Sequence, residues 1–236
     1  MNLFAELVYE LGTHTKTNDK LNALINYFAE ADNKDKVWVI ALFSGRRPRR
    51  TISGSKMAEW CAELINLPLW LFEESYHTVG DMSETIALLI PDNPNAPPSS
   101  KSLSLYVEKF LELEKADESV KKEFILQSWS ELNSKERFVF NKLLSSTFRV
   151  GVSQSMMVNA LAKTVKLESS VIAHRISGNW DPATTIFEEL LSEESTIIDH
   201  SKPYPFYLAY AIEGNVSDLG DPKEWQAEWK WDGIRG

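Results

Sequence analysis

Apolar residues recur at spacings of three and four through most of the chain up to about residue 190, and that period commits this stretch to helix rather than strand. Phe4, Leu7, Val8 and Leu11 form one stripe, Leu21, Leu24, Ile25 and Phe28 a second, and Leu105, Phe110 and Leu113 a third. Each stripe needs a packed partner, so a set of short helices buried against one another is the expected architecture. Trp38, Met57, Trp60 and Trp129 lie within these segments and read as core packing rather than a cofactor box. Thr17 is placed to cap the helix holding Leu21, and Asn133 or Ser134 the one holding Phe138, Phe140, Leu143 and Leu144.

Two interruptions organise the chain. Pro91, Pro94, Pro97 and Pro98 exclude both helix and central strand, which makes 91–100 an exposed connector between two helical lobes of similar size. No internal repeat is evident. Beyond about residue 191 the helical period stops; Pro203 and Pro205 break the chain, and Phe206-Tyr207-Leu208-Ala209-Tyr210 has the composition of a strand. The expectation is a mainly α protein: a two-lobed helical domain over 1–200 with its connector at 91–100, then a short β segment over 201–236 that begins a second domain.

Composition narrows the setting. The 236 residues include a single cysteine, Cys61, so neither a disulfide framework nor a cysteine metal site is expected, and a reducing cytoplasm fits. No basic start leads an apolar run and no stretch approaches the ~18 apolar residues of a membrane span. A net charge of −9 argues against a uniformly basic nucleic-acid binder but leaves local patches open. Residues 101–150 carry 9 Lys and Arg against 8 Asp and Glu, whereas 1–100 carry 9 against 13. Four of those first nine cations, Arg46, Arg47, Arg49 and Arg50, crowd a loop broken by Pro48, which is either a phosphate contact or a solvated loop.

Arg149, Gly151 and Ser153 supply a cation, a place for close backbone approach and a helix cap, a set that suits phosphate but also describes a plain helix–helix turn. Gly80-Asp81 is likewise a capped helix start or a phosphate-facing one. Near the C-terminus, a strand reading places Glu228, Lys230 and Asp232 on one face and Trp229 and Trp231 on the other, with Asp232-Gly233 turning the chain. A lysine among carboxylates and indoles is a candidate nucleophile. Its free pKa of ~10.4 must fall for attack: burial lowers it and the carboxylates raise it, and sequence leaves that balance open. None of the histidines, His77, His174 and His200 included, draws a catalytic role.

Lys230-Trp231-Asp232-Gly233-Ile234-Arg235 resembles the K-x-D-G-x-R signature of covalent nucleotidyltransferases, which include ATP-dependent DNA ligases, RNA ligases and mRNA-capping enzymes. The upstream segments Gly80 to Thr85, Phe148 to Ser153, and Pro203-Tyr204-Pro205-Phe206 resemble DNA ligases of the cellular type. With Trp70 to Tyr76, the chain is most similar to bacterial ATP-dependent ligases thought to act beside a helicase and a nuclease in repair. The resemblance implies a helical DNA-binding domain followed by the start of an adenylation domain, with nicked duplex DNA as substrate and roles in repair, replication and recombination.

It also implies ATP and Mg2+ as cofactors, with no residue of this chain assigned to the metal. Lys230 would form the lysyl-AMP bond, Glu228 would hold adenine, Arg235 would lie near ribose and AMP, and Asp232 would organise the turn and the lysine. Arg46, Arg47, Arg49, Arg50, Arg149, Gly151 and Ser153 would meet DNA. A monomer with no membrane association is expected. Because the sequence stops at Gly236, just after the signature, the expectation is a ligase fragment that binds DNA without ligating. The rival readings are a non-catalytic helical DNA-binding or scaffold protein with a vestigial motif, and an RNA ligase or capping-type enzyme.

Overall fold

The period of the apolar residues is realised in a computed structural model that describes residues 1–92, 99–145, 148, 151–191, 215 and 220–225. Twelve helices are described: α1 (Asn2–Thr13), α2 (Thr17–Glu30), α3 (Asn33–Phe43), α4 (Gly54–Leu64), α5 (Leu69–Val79), α6 (Met82–Leu89), α7 (Leu103–Leu113), α8 (Glu118–Glu131), α9 (Ser134–Leu144), α10 (Gln154–Val165), α11 (Ser169–Ser177) and α12 (Phe187–Leu191). The protein is mainly helical, and no strand occurs among the described residues. The segments expected as strand, 206–210 and 228–232, lie outside them.

The chain divides into two compact units, Met1–Pro203 and Tyr204–Gly236. In the second, the described residues hold one 3-10 turn, Pro222–Glu224, capped by the Asp221 carboxylate, which accepts from the Lys223 amide at 3.0 Å.

Phe4, Leu7, Val8 and Leu11 are all buried, as are Leu24, Phe28, Phe110 and Leu113 and the three tryptophans and Met57 expected in the core. Leu105 is not: it is 45% exposed, because the inward face of α7 runs through Leu103, Tyr106, Val107 and Phe110. Spacings of three, four and seven from Leu103 leave position 105 on the far side. Asn133 caps α9 in a reciprocal capping box with Glu136, whereas Thr17 is the first residue inside α2 and Lys16 takes the cap position.

The helices interleave. α1 packs on α2, α2 on α10, α3 on α10 and α12, and α11 on both α10 and α12; α4 packs on α5, α6 and α8, α5 on α6, and α9 on α6 and α7. One lobe is therefore α1–α3 with α10–α12, and the other is α4–α9. The helices on either side of the expected connector, α6 and α7, both belong to the second group, and residues 93–98 of that connector lie outside the described residues; the chain passes between the groups after α3 and after α9. α1 on α9 and α3 on α7 join the lobes into one apolar core.

Buried polar clasps fix this arrangement. Arg137, 1% exposed, donates to the carbonyls of Trp129 at 3.1 Å, Ile90 at 2.6 Å and Leu132 at 2.8 Å, and to the Asp92 carboxylate at 3.3 Å. Burial pulls its pKa below the usual guanidinium value against the opposing pull of Asp92. Asp35 accepts from the amides of Leu103 and Ser104 at 3.0 and 2.8 Å, satisfying the first turn of α7 across the lobe boundary.

Candidate nucleic-acid interface

The two crossings between lobes are built alike. α3 ends at Ser44, whose amide donates to the carbonyls of Ile40 and Leu42; α9 ends at Ser145, whose amide donates to those of Asn141 and Leu143. A glycine with positive φ follows in each loop, Gly45 at 83° and Gly151 at 63°, where a side chain would be strained. Each loop ends in a Ser-x-Ser cap. Ser53 accepts from the Lys56 amide at 3.3 Å and pairs with Ser55 at 3.0 Å; Ser153 accepts from the Met156 amide at 3.2 Å and pairs with Ser155 at 2.9 Å.

A cation lies near each of these loops, at the first turn of α4 in one and beside Gly151, two residues ahead of the α10 cap, in the other. The Arg50 guanidinium folds back, donating to the Ile52 carbonyl at 2.9 Å, and lies 3.4 Å from where a Cβ on Gly54 would be. The Lys20 ammonium, reaching from α2, lies 3.5 Å from where a Cβ on Gly151 would be. A helix N-terminus carries partial positive charge, so a cation placed there is unfavourable until an anion joins it.

Of the four loop arginines expected to reach phosphate, Arg47, Arg49 and Arg50 are exposed, while Pro48 and Ile52 between and after them are buried. Among the described residues the Arg49 side chain pairs with Glu114 alone, at 3.4 Å on the surface, a contact of little energetic weight. Arg46 departs from the expectation. It turns inward and donates to the carbonyls of Trp180 at 3.0 Å, Ile176 at 3.1 Å and Gly178 at 2.5 Å, with its guanidinium over the Trp180 ring at 4.6 Å. A fork spent on three carbonyls has little left for phosphate.

Residues 1–162 match the family described as DNA ligase N terminus. The chain belongs to that family. This ligase N-terminal domain is also 25% identical over 174 residues to a DNA ligase of Methanosphaera stadtmanae, covering 69% of this chain and 31% of the relative, so the chain spans less than a third of that protein's length. The match to the family stops at residue 162, within α10, ahead of α11, α12 and the second unit.

Other expected site residues divide sharply. Glu228, Lys230, Asp232, Arg235 and Arg149 lie outside the described residues. Ser153 caps α10, and Gly151 precedes it by two residues with φ 63°. Gly80 and Asp81 form a capped start: Gly80 ends α5 at φ 80°, and Asp81 accepts from the Glu84 amide at 3.0 Å while its other oxygen pairs with Lys142 of α9. Burial raises the Asp81 pKa, but the Lys142 and amide hydrogen bonds outweigh it and hold the carboxyl below its ordinary value. That carboxylate already occupies the helix end where a phosphate would sit. Sequence reading missed Lys20 and Ser53. Only the second had a signal, the Ser-x-Ser shared by residues 53–55 and 153–155.

Proposed function

We propose that the helical unit holds duplex DNA at a nick through the phosphate backbone. The bonding groups are Arg47, Arg49 and Arg50 on one crossing loop, and Lys20, Arg149, Gly151 and Ser153 around the other. The observation that carries this reading is the pair of similarly built, serine-capped helix starts, each with a cation close by where a phosphate could join it. Contacts of this kind fix position without reading bases, as an enzyme that seals any break requires.

The intact protein is proposed to be an ATP-dependent DNA ligase in repair, replication and recombination, with residues 1–200 as its DNA-binding domain and 201–236 as the start of its adenylation domain. The resemblance of 230–235 to the nucleotidyltransferase signature supports Lys230 as the residue that takes AMP from ATP, with Mg2+ balancing phosphate charge. It supports Glu228 and Arg235 as nucleotide contacts and Asp232 as the organiser of the turn. A bacterial helicase and nuclease are the proposed partners, and a monomer in the cytoplasm the proposed state.

Fluorescence anisotropy with a labelled nicked duplex tests the binding half. Arg47→Gln, Arg49→Gln and Arg50→Gln combined should weaken binding by roughly a hundredfold at low salt. Unchanged affinity in a folded variant would contradict it. For the chemical half, a polypeptide extended to the relative's length should become AMP-charged with labelled ATP and Mg2+, and Lys230→Ala should abolish the label.

A further inference from the structure

The inward turn of Arg46 starts from its backbone. At the end of α3, Gly45 with φ 83° lets its own amide bond the Leu42 carbonyl at 3.2 Å and the Arg46 amide bond the Ala41 carbonyl at 2.8 Å, which closes the helix and fixes where residue 46 points. The guanidinium then meets the end of α11, where the last carbonyls have no helical partner and the dipole is negative. Ile176 in its last turn, Gly178 at its C-cap and Trp180 just beyond accept three bonds of 3.1, 2.5 and 3.0 Å. The Trp180 indole lies against the guanidinium and donates to the same Ile176 carbonyl at 2.8 Å, so ring and fork lock one another. α11 is in turn held to α12 by Arg175, which donates to the Leu191 carbonyl.

The exposed arginines begin at the very next position. Arg47 follows Arg46 directly, Pro48 is buried, and Arg49 and Arg50 point outward again. A loop alternating inward anchors with outward cations presents those cations in one geometry only while its anchors hold. We infer that Arg46 is a positioning residue: clasped to Trp180 and the end of α11, it fixes the presentation of Arg47, Arg49 and Arg50 to the DNA backbone. The loop lies within the family match and its other half, 176–180, lies beyond it, so a segment outside the matched region sets the geometry of the binding loop. This inference rests on the proposed DNA contact of that loop.

The test is nicked-duplex anisotropy with the whole 236-residue chain and four single variants, each checked by circular dichroism and studied below its melting temperature. Arg46→Lys keeps the charge but cannot fork across three carbonyls, so it should weaken binding as much as Arg46→Gln, roughly five- to tenfold. Trp180→Leu, which removes no charge, should do the same. The loss caused by Arg47→Gln should shrink in an Arg46→Gln background, because a loop already misplaced has less to lose. Wild-type affinity in Arg46→Lys with a loss in Arg46→Gln would make Arg46 a direct phosphate contact and overturn the inference. Arg46 and Trp180 variants that melt earlier yet bind normally would also overturn it, leaving a purely structural clasp. Should the combined Arg47, Arg49 and Arg50 replacement itself leave binding unchanged, the DNA reading falls, and the clasp inference with it. Loss in that combination without loss in Arg46→Lys or Trp180→Leu sinks the inference alone.

Discussion

The loops 44–53 and 145–153 leave one helix and enter the next by the same devices, a serine-ended helix, a positive-φ glycine and a Ser-x-Ser cap, but they are anchored and charged differently. The first is held by a polar clasp at Arg46 and carries three outward arginines of its own. The second is held by an aromatic plug: Phe148, 2% exposed, stacks on Phe4 at 5.6 Å and Phe43 at 5.9 Å, and its described cation is borrowed from Lys20 of α2. One backbone solution has thus been fixed by burial at one crossing and by hydrogen bonding at the other.

That contrast can be broken experimentally. The largest expected effect is on stability at the second loop: Phe148→Ala opens a cavity between α1 and α3 and should cost about 3–5 kcal/mol in chemical denaturation, and a loss below about 1 kcal/mol would refute the plug. Next comes DNA affinity at the first loop, where the combined Arg47, Arg49 and Arg50 replacement should flatten the salt dependence of log affinity by about three units, against about one for Lys20→Gln. Equal flattening would erase the distinction drawn between the loops. Gly45→Ala and Gly151→Ala should each cost about 1–2 kcal/mol, since both force a Cβ into left-handed backbone. Ser53→Ala and Ser153→Ala should each cost about 1 kcal/mol, and strongly unequal values in either pair would deny that the crossings are built alike.

The smallest effect concerns pH. Asp81 has a folded pKa below its unfolded one, so its tie to Lys142 at the end of α9 adds stability that is complete above the ordinary aspartate range and is lost as pH falls through the lowered value. Asp81→Asn should flatten the acid limb of a melting-temperature profile, and an unaltered limb would show that the tie contributes nothing.

Much of the scaffold could be read from spacing alone, because period and caps are local: Phe4 to Leu11, the Asn133 capping box and Ser153 all fall where the sequence puts them. The lobes could not. Periodicity says which face is buried but not against what, and only tertiary pairing reveals that α10 returns to α2 while α9 stays on α6. Arg46 was misread for the same reason, since nothing in Gly45 to Arg50 names the distant carbonyls at 176–180 that claim it. The likeness of the crossings escaped because little beyond the serines is shared and the two loops differ by one residue in length.

Titrating a labelled nicked duplex with the 236-residue chain over a series of salt concentrations tests the central claim most directly. The account predicts that log affinity falls linearly with log salt at a slope of about −4 to −5, for the phosphate contacts of Arg47, Arg49, Arg50, Lys20 and Arg149, and equally for duplexes of unrelated sequence. Binding that ignores salt, follows base sequence or is absent would contradict it.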